Sequence, residues 1–286
     1  MIAITGATGQ LGRLVVAALL ERKVNPKELV AIVRTPAKAA DLAAKGVQVR
    51  AGDYREPQTM SAALEGVTTV LLISSSEVGQ RAPQHQVVID AAKKSGVKLL
   101  AYTSILHGDR SKLALAAEHI ATERALAASG VPHVLLRNGW YFENYTANLA
   151  TSLQHGFAGS AGTGRIAAAS RADFAAAAAV VQTTPGQAGK VYELAGDVPF
   201  TMAELAAETS KQTGKTLAYA NLPPEQFRGV LLGAGLPPPF ADILVDADLN
   251  IVKGELDDTT KQLSTLIGRP TTSLSTAVRD GLARIR

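Results

Sequence analysis

The chain of 286 residues contains no cysteine, which excludes disulfides, a thiolate nucleophile and cysteine-ligated metal centres. No apolar stretch is both long enough and sufficiently free of glycine to span a bilayer, and the first residues read as a strand rather than a basic leader. We therefore expect a cytoplasmic protein. Lysine and arginine are interspersed with acids and form no run of five, so the net charge of +4 does not predict a nucleic-acid interface.

Catalytic signatures are also missing. The histidines have no metal-ligand spacing such as H-x-x-x-H, so we expect no metal and place them on the surface or in loops. They are His85, His107, His119, His133 and His155. No G-x-S-x-G elbow is present, which argues against a serine hydrolase. No tyrosine is followed by lysine four residues later, so the Tyr-x-x-x-Lys pair of typical short-chain dehydrogenases is absent and the catalytic residues stay unknown.

A glycine turn near the start of the chain is the most informative feature that is present. It joins a short apolar strand to an apolar helix and reads Gly6-Ala7-Thr8-Gly9-Gln10-Leu11-Gly12. Glycine permits a tight turn and close approach of the backbone to a pyrophosphate, and the start of the helix offers free N–H groups. The spacing G-x-x-G-x-x-G predicts a dinucleotide site; an ordinary turn between strand and helix is the alternative.

Short β-branched runs then alternate with alanine-rich helical stretches, which is typical of a parallel sheet. The runs are 29–33, 47–49, 69–73, 98–102 and 133–136, and the intervening helices are expected near 36–45, 57–65, 80–95 and 112–129. This pattern predicts an α/β fold with a doubly wound parallel sheet, Rossmann-like, in the order 3-2-1-4-5-6. We expect an NADP-binding domain at 1–138. Residues 139–286 should mostly form a smaller C-terminal lobe lining an acceptor cleft, with about 165–200 returning to the sheet.

The residues that follow the strands indicate the nucleotide. Arg34 ends the second strand, where proteins specific for NAD place an acid, so a 2′-phosphate and therefore NADPH is favoured. Asp53 follows the third strand and either contacts the adenine or caps the next helix. Ser74, Ser75 and Ser76 leave the fourth strand, where they either line the cofactor groove or only terminate the strand.

Several segments together carry a family resemblance. The chain resembles the bacterial type 2 NAD(P)H:quinone oxidoreductases, a branch of the NmrA-like atypical short-chain dehydrogenases. The matching segments are residues 6–12, 31–34, 73–85, 136–141, 189–196 and 266–268. The resemblance implies NADPH held by the glycine turn, Arg34, the three serines and the segment after the sixth strand, and reduction of a quinone without a flavin. Residues 235–240 look more like the related triphenylmethane-dye reductases.

The segment after the sixth strand is the candidate acceptor pocket, because open α/β sheets bind ligands at their carboxyl edge. Asn138 offers an amide, Trp140 and Tyr141 offer flat faces to an aromatic acceptor, and Asn144 adds a polar tip. The same aromatic residues would also suit a hydrophobic core. We expect a small-molecule quinone as the partner. A dye acceptor, a non-catalytic NADP-sensing regulator and a homo-oligomer stay compatible with the sequence.

Overall fold

A computed structural model describes residues 1–285 of the chain. Its strands are β1 (Ile2–Thr5), β2 (Leu29–Val33), β3 (Gln48–Ala51), β4 (Thr69–Leu72), β5 (Leu99–Ile105), β6 (His133–Asn138), β7 (Phe157–Gly159), β8 (Val191–Leu194) and β9 (Tyr219–Asn221). Its helices are α1 (Gln10–Glu21), α2 (Ala40–Ala43), α3 (Pro57–Ala63), α4 (Arg81–Lys94), α5 (Ala116–Ser129), α6 (Glu143–Thr146), α7 (Leu149–His155), α8 (Arg171–Thr183), α9 (Met202–Thr213), α10 (Pro224–Gly233), α11 (Pro238–Ile251), α12 (Gln262–Ile267) and α13 (Leu274–Ala283). Within residues 1–285, no helix combines the length and the apolar character needed to cross a bilayer.

The main sheet is parallel and has the order β3-β2-β1-β4-β5-β6-β8. The predicted order of the first six strands is confirmed, and β8 extends the sheet beside β6, with Leu135 opposite Val191. Because β1 and β4 are neighbours, the strand order reverses between them. Ligands bind at the carboxyl ends of strands at such a reversal, and the glycine turn follows β1 there.

The chain divides into two compact units. The first consists of Met1–Asp109, Ala117–Asn138 and Arg171–Leu194, and contains the main sheet. One face of this sheet packs on α3, α4 and α5 through fully buried aliphatic side chains, while α8 packs against α1. The second unit consists of Arg110–Ala116, Gly139–Ser170 and Ala195–Arg286 and contains the parallel pair β7–β9. The predicted acceptor cleft stays a prediction.

Two predicted helices are shorter than the sequence pattern indicated. Instead of a helix over 36–45, a 3₁₀ turn at Pro36–Ala39 leads into the four residues of α2, which stop before Gly46 at φ +84°. The helix expected from 112 begins at Ala116. The reason is that the N–H groups of Lys112 and Ala114 donate to carboxylates of the second unit, at 3.0 and 2.7 Å, and not to a helical ladder.

An ion cluster joins α5 to two strands of the first unit. The guanidinium of Arg137 on β6 donates to Glu123 of α5 at 2.7 Å and to Glu193 of β8 at 2.9 Å. The three side chains are only 10–14% exposed. The Arg137 guanidinium also fills the space beside Gly108, where a Cβ would lie 2.1 Å from it. These contacts raise the pKa of Arg137, chiefly through the hydrogen bond to Glu123, so its guanidinium stays protonated.

Candidate functional site

The glycine turn leaves the start of α1 open. Gly6 has φ +59°, which favours glycine, and Gly9 is the exposed residue before the helix. No side chain caps the first turn of α1, so its N–H groups face outward with the positive end of the helix dipole. Gly12 lies where a Cβ would come within 2.4 Å of the Gly6 carbonyl oxygen. The turn therefore combines close packing of strand and helix with an unobstructed site that fits a pyrophosphate.

Arg34 lies just beyond β2 and is exposed. Its Nη1 donates to Oε1 of Glu77 at 2.9 Å, and Glu77 belongs to the loop after β4. The other carboxylate oxygen of Glu77 accepts from Nε2 of Gln84 on α4 at 2.7 Å. The arginine predicted to bind a 2′-phosphate is thus paired with an acid that the sequence pattern did not single out.

Asp53 does not cap α3, so that alternative is wrong. The residue before α3 is Glu56, which makes no side-chain cap, whereas the Asp53 carboxylate accepts from Arg55 at 2.7 Å. This contact lowers the pKa of Asp53. A cavity of about 400 Å³ lies beside this pair. It is lined by Tyr54, Arg55, Glu77, Gln80, Pro83, Gln84 and Val87.

The backbone that carries the first serines is held by side chains from several elements. Ile73 N–H donates to Thr5 Oγ1 at 3.1 Å, and its carbonyl accepts from the hydroxyl of Tyr54 at 3.0 Å. Ser74 N–H donates to Thr103 Oγ1 at 2.8 Å. We call residues 73–75 the clamped segment, because side chains rather than a neighbouring strand satisfy most of its polar groups.

His85 and Arg81 complete the clamp from α4. Ser75 N–H donates to Nε2 of His85 at 2.9 Å, and Arg81 Nε donates to the Ser75 carbonyl at 2.6 Å. An amide only donates, so His85 Nε2 must be unprotonated and Nδ1 must carry the proton. Nδ1 then donates to Thr122 Oγ1 at 2.8 Å, which in turn donates to the Glu118 carbonyl at 2.9 Å. This chain fixes a neutral imidazole.

The expectation that all five histidines are at the surface or in loops is therefore wrong for two of them. His85 is fully buried, and His119, 8% exposed, lies 2.8 Å from the Tyr102 hydroxyl. Burial lowers the pKa of each to about 3, and the positive charge of Arg81 adds to the effect. A signal was present for His85, because it lies three and four residues before the buried Val88 and Ile89 on the same face of α4.

Asn138, at the end of β6, holds a free acceptor. The residue is 7% exposed, and among residues 1–285 its Oδ1 is buried without a hydrogen-bond partner. Its backbone carbonyl accepts from Leu106 N–H at 3.0 Å, which fixes the residue in place. Because a buried acceptor without a partner is unfavourable, this atom fits a ligand that brings an N–H donor.

The aromatic residues that follow belong to the second unit and do not share one environment. Phe142 is core: it is 2% exposed and stacks on Phe200 with ring centroids 5.4 Å apart. Trp140 and Tyr141 are half-buried, and Asn144 is exposed. The structure thus assigns Phe142 to the core and leaves accessible surface on the other three.

An acid that is only partly exposed lies elsewhere in the second unit. Asp248 on α11 accepts from Ser160 N–H at 2.7 Å. A Cβ on Gly159 would meet both this carboxylate, at 2.6 Å, and the Tyr219 hydroxyl, at 3.0 Å, so the two groups face the same glycine. Burial raises the pKa of Asp248 to about 6. Across residues 1–285, no three metal-ligating side chains converge.

The fold and the glycine turn agree with the comparison against known proteins. Residues 6–185 match the NAD(P)H-binding family model, and the chain belongs to this family. It is 56% identical to quinone oxidoreductase 2 of Escherichia coli strain K12 over 279 residues, which cover 97% of both chains.

Two solved structures are similar over almost the whole chain. The NADPH-dependent quinone oxidoreductase of Escherichia coli, solved with NADPH, superposes with a TM-score of 0.95 at 56% identity over 98% of this chain and 99% of that one. The triphenylmethane reductase of Citrobacter sp., solved with NADP(H), has a TM-score of 0.94 at 38% identity over 98% of this chain and 100% of that one. The family resemblance and the Rossmann-like fold predicted from the sequence are confirmed.

Proposed function

We propose that the protein reduces quinones with NADPH by direct hydride transfer, without a flavin. The observation that carries the proposal is the 56% identity to a quinone oxidoreductase across 97% of both chains. The open start of α1 and the unpartnered Oδ1 of Asn138 support it, because both fit parts of a nicotinamide nucleotide.

Different residues would bind different parts of NADPH. The N–H groups of the glycine turn, residues 6–12, that lie at the open start of α1 would hold the pyrophosphate, and Arg34 the 2′-phosphate. Asp53 and the serines at 74–76 would line the groove toward the adenosine. Asn138 would accept a hydrogen bond from the carboxamide and so orient the nicotinamide ring. When bound, NADPH supplies the hydride.

The acceptor class follows from what the chain lacks. An alkoxide formed from an ordinary carbonyl needs a strong acid, and the Tyr-x-x-x-Lys pair is absent. A quinone yields a phenolate-like anion that is far less basic, so a neutral donor or water suffices to protonate it. We assign Trp140, Tyr141 and Asn144 to the pocket that positions this ring. We further propose that the protein works in the cytoplasm, where the reduced nucleotide is available.

A steady-state assay tests the function. Flavin-free protein is given NADPH and, separately, a panel of quinones and triphenylmethane dyes. We expect turnover with quinones. Preference for the dyes would favour the second candidate, which the 38% identity to a triphenylmethane reductase supports. Clear NADPH binding without any turnover would instead assign the chain to the cofactor-sensing regulators.

A further inference from the structure

We propose that Glu77 is a specificity-determining residue that competes with the 2′-phosphate of NADPH for Arg34 and offers NADH a partner in the same place. The inference rests on the proposed placement of the adenosine end at Arg34. Its basis is the ion pair between Arg34 and Glu77, at 2.9 Å. Arg34 lies at the end of β2, where NAD-specific proteins carry an acid, and Glu77 brings a carboxylate to this position. Here the acid comes from the loop after β4 rather than from β2.

Glu77 is held in this position from both sides. Its second carboxylate oxygen accepts from Gln84, which is itself 6% exposed on α4. Its N–H donates at 3.2 Å to Oγ of Ser75, the last residue of the clamped segment. A carboxylate fixed by its own backbone and by a buried amide does not leave Arg34 freely. A phosphate that arrives must therefore share the guanidinium or break the Glu77 contact.

Both guanidinium groups at this site are already paired with a carboxylate. Arg34 and Arg55 carry two positive charges, and Asp53 and Glu77 carry two negative ones. Arg55 lowers the pKa of Asp53 most, and Arg34 lowers it further, so the two pairs influence each other. A 2′-phosphate with nearly two negative charges therefore meets guanidinium groups that are already paired with carboxylates, and its attraction to Arg34 is opposed by Glu77.

NADH has a 2′-hydroxyl in place of the 2′-phosphate, so Glu77 should attract its ribose and not repel it. Its 2′-hydroxyl is a hydrogen-bond donor, and a carboxylate is the acceptor that NAD-specific proteins provide for it. Glu77 thus opposes one nucleotide and suits the other. The preference for NADPH over NADH should therefore be smaller than it would be if Arg34 had no carboxylate partner.

Binding calorimetry on Glu77→Gln tests this competition. The amide oxygen can still accept from Gln84, while the charge is lost. The probes are adenosine 2′,5′-bisphosphate, 5′-AMP, NADPH and NADH. Because an exposed ion pair contributes little, we expect about 2- to 5-fold tighter binding of adenosine 2′,5′-bisphosphate and NADPH, with NADH weakened by a similar factor. The matched control is Glu65→Gln, the same charge change on an exposed residue that precedes β4, at the amino end of the sheet.

The outcomes are separable from the proposed reaction, because every probe is read by binding and not by turnover. Unchanged or weaker binding of the 2′-phosphate in Glu77→Gln overturns the competition. An equal gain in Glu65→Gln also overturns it, since net charge alone would then explain the effect. Arg34→Ala should abolish most of the difference in affinity between adenosine 2′,5′-bisphosphate and 5′-AMP. If this difference is unchanged, the 2′-phosphate does not bind at Arg34, and the proposed competition is wrong. Failure of quinone turnover leaves all these results standing.

Discussion

Two glycines of the same turn differ in what they exclude. A Cβ at Gly12 would lie 2.4 Å from the Gly6 oxygen and 2.7 Å from the Ala7 Cα, both backbone atoms, whereas one at Gly9 would lie 3.1 Å from Gly6. We expect Gly12→Ala to lower the free energy of unfolding by about 1–3 kcal/mol. Gly9→Val should unfold cooperatively but lose NADPH binding. Melting curves and calorimetry on both variants check this; unchanged NADPH binding in Gly9→Val would mean that the turn is only structural.

Three titratable residues, two buried and one half-buried, predict how stability depends on pH. His85 and His119 have folded pKa values of about 3, against 6.5 in the unfolded chain, so the unfolded state binds more protons between these values. The free energy of unfolding should therefore decrease as the pH is lowered through this range, by at most about 1.4 kcal/mol per pH unit for each histidine. Asp248 acts in the opposite direction between 3.8 and about 6, because its pKa is raised in the folded state.

Denaturant unfolding at several pH values between 7.5 and 4.5 measures the net effect of the two histidines and Asp248 on the free energy of unfolding. Asp248→Asn removes the opposing group, so its stability should decrease more steeply below pH 6 than that of the wild type. His85→Gln should give a shallower slope. Parallel slopes for all three proteins would contradict the shifted pKa values of these groups.

Trp140 lies either in the acceptor pocket or in the hydrophobic core, and a truncation separates the two alternatives. If it faces the acceptor, Trp140→Ala should raise KM for the quinone or lower kcat/KM and leave NADPH affinity unchanged. If it is core, truncation should cost about 3–5 kcal/mol of stability. Two-substrate kinetics and thermal melts on one preparation decide. Phe142→Ala is the matched comparison, because Phe142 is stacked in the core and should lose stability. A similar loss in Trp140→Ala, with unaltered quinone kinetics, would contradict the pocket assignment.

At the scale of elements, the Arg137 cluster ties α5 and β8 to β6. Arg137→Met would leave the carboxylates of Glu123 and Glu193 buried without their partner, and removal of one member of a buried pair costs about 3–5 kcal/mol. The control is Arg228→Met, which breaks the exposed pair with Asp242 and should change stability by less than about 1 kcal/mol. Equal effects on the denaturation midpoint would show that the cluster is not buried in solution.

Elements whose signals are local were predictable from the sequence. The β-branched strands of the main sheet lie close to where the alternating pattern predicts them. These features depend on residues a few positions apart. The delayed start of α5 was not predictable, because it depends on carboxylates far along the chain that take the N–H groups of 112 and 114.

The candidate site was predictable to a similar degree. The glycine turn and the placement of Arg34 at a strand end follow from spacing alone. The pairing of Arg34 with Glu77 and the clamp from His85 depend on contacts between loops and helices distant in sequence. Only the helical periodicity around His85 offered a clue to its burial.

At the scale of the whole molecule, cofactor binding should be visible as stability. NADPH at about 100 times its Kd should add about 2.7 kcal/mol to the free energy of unfolding, which raises Tm by roughly 4–5 °C in a chain of this size. At the same concentrations, Arg34→Ala should lose most of the rise in Tm that NADPH causes. The rise in Tm that NADH causes should change little. Differential scanning fluorimetry reads both. Equal losses with the two nucleotides would contradict the role given to Arg34.

The position of β8 in the sheet has a consequence for synthesis on the ribosome. When residue 138 has been added, β6 is still an open edge, because its neighbour arrives only with Val191–Leu194. The partner of α1, the helix α8, is also made only at 171–183. A nascent or truncated chain that ends before this point exposes unpaired strand groups and an uncovered helix face, and both promote aggregation. The order of translation therefore leaves the edge of β6 and one face of α1 uncovered until the segment that returns to the sheet has been made.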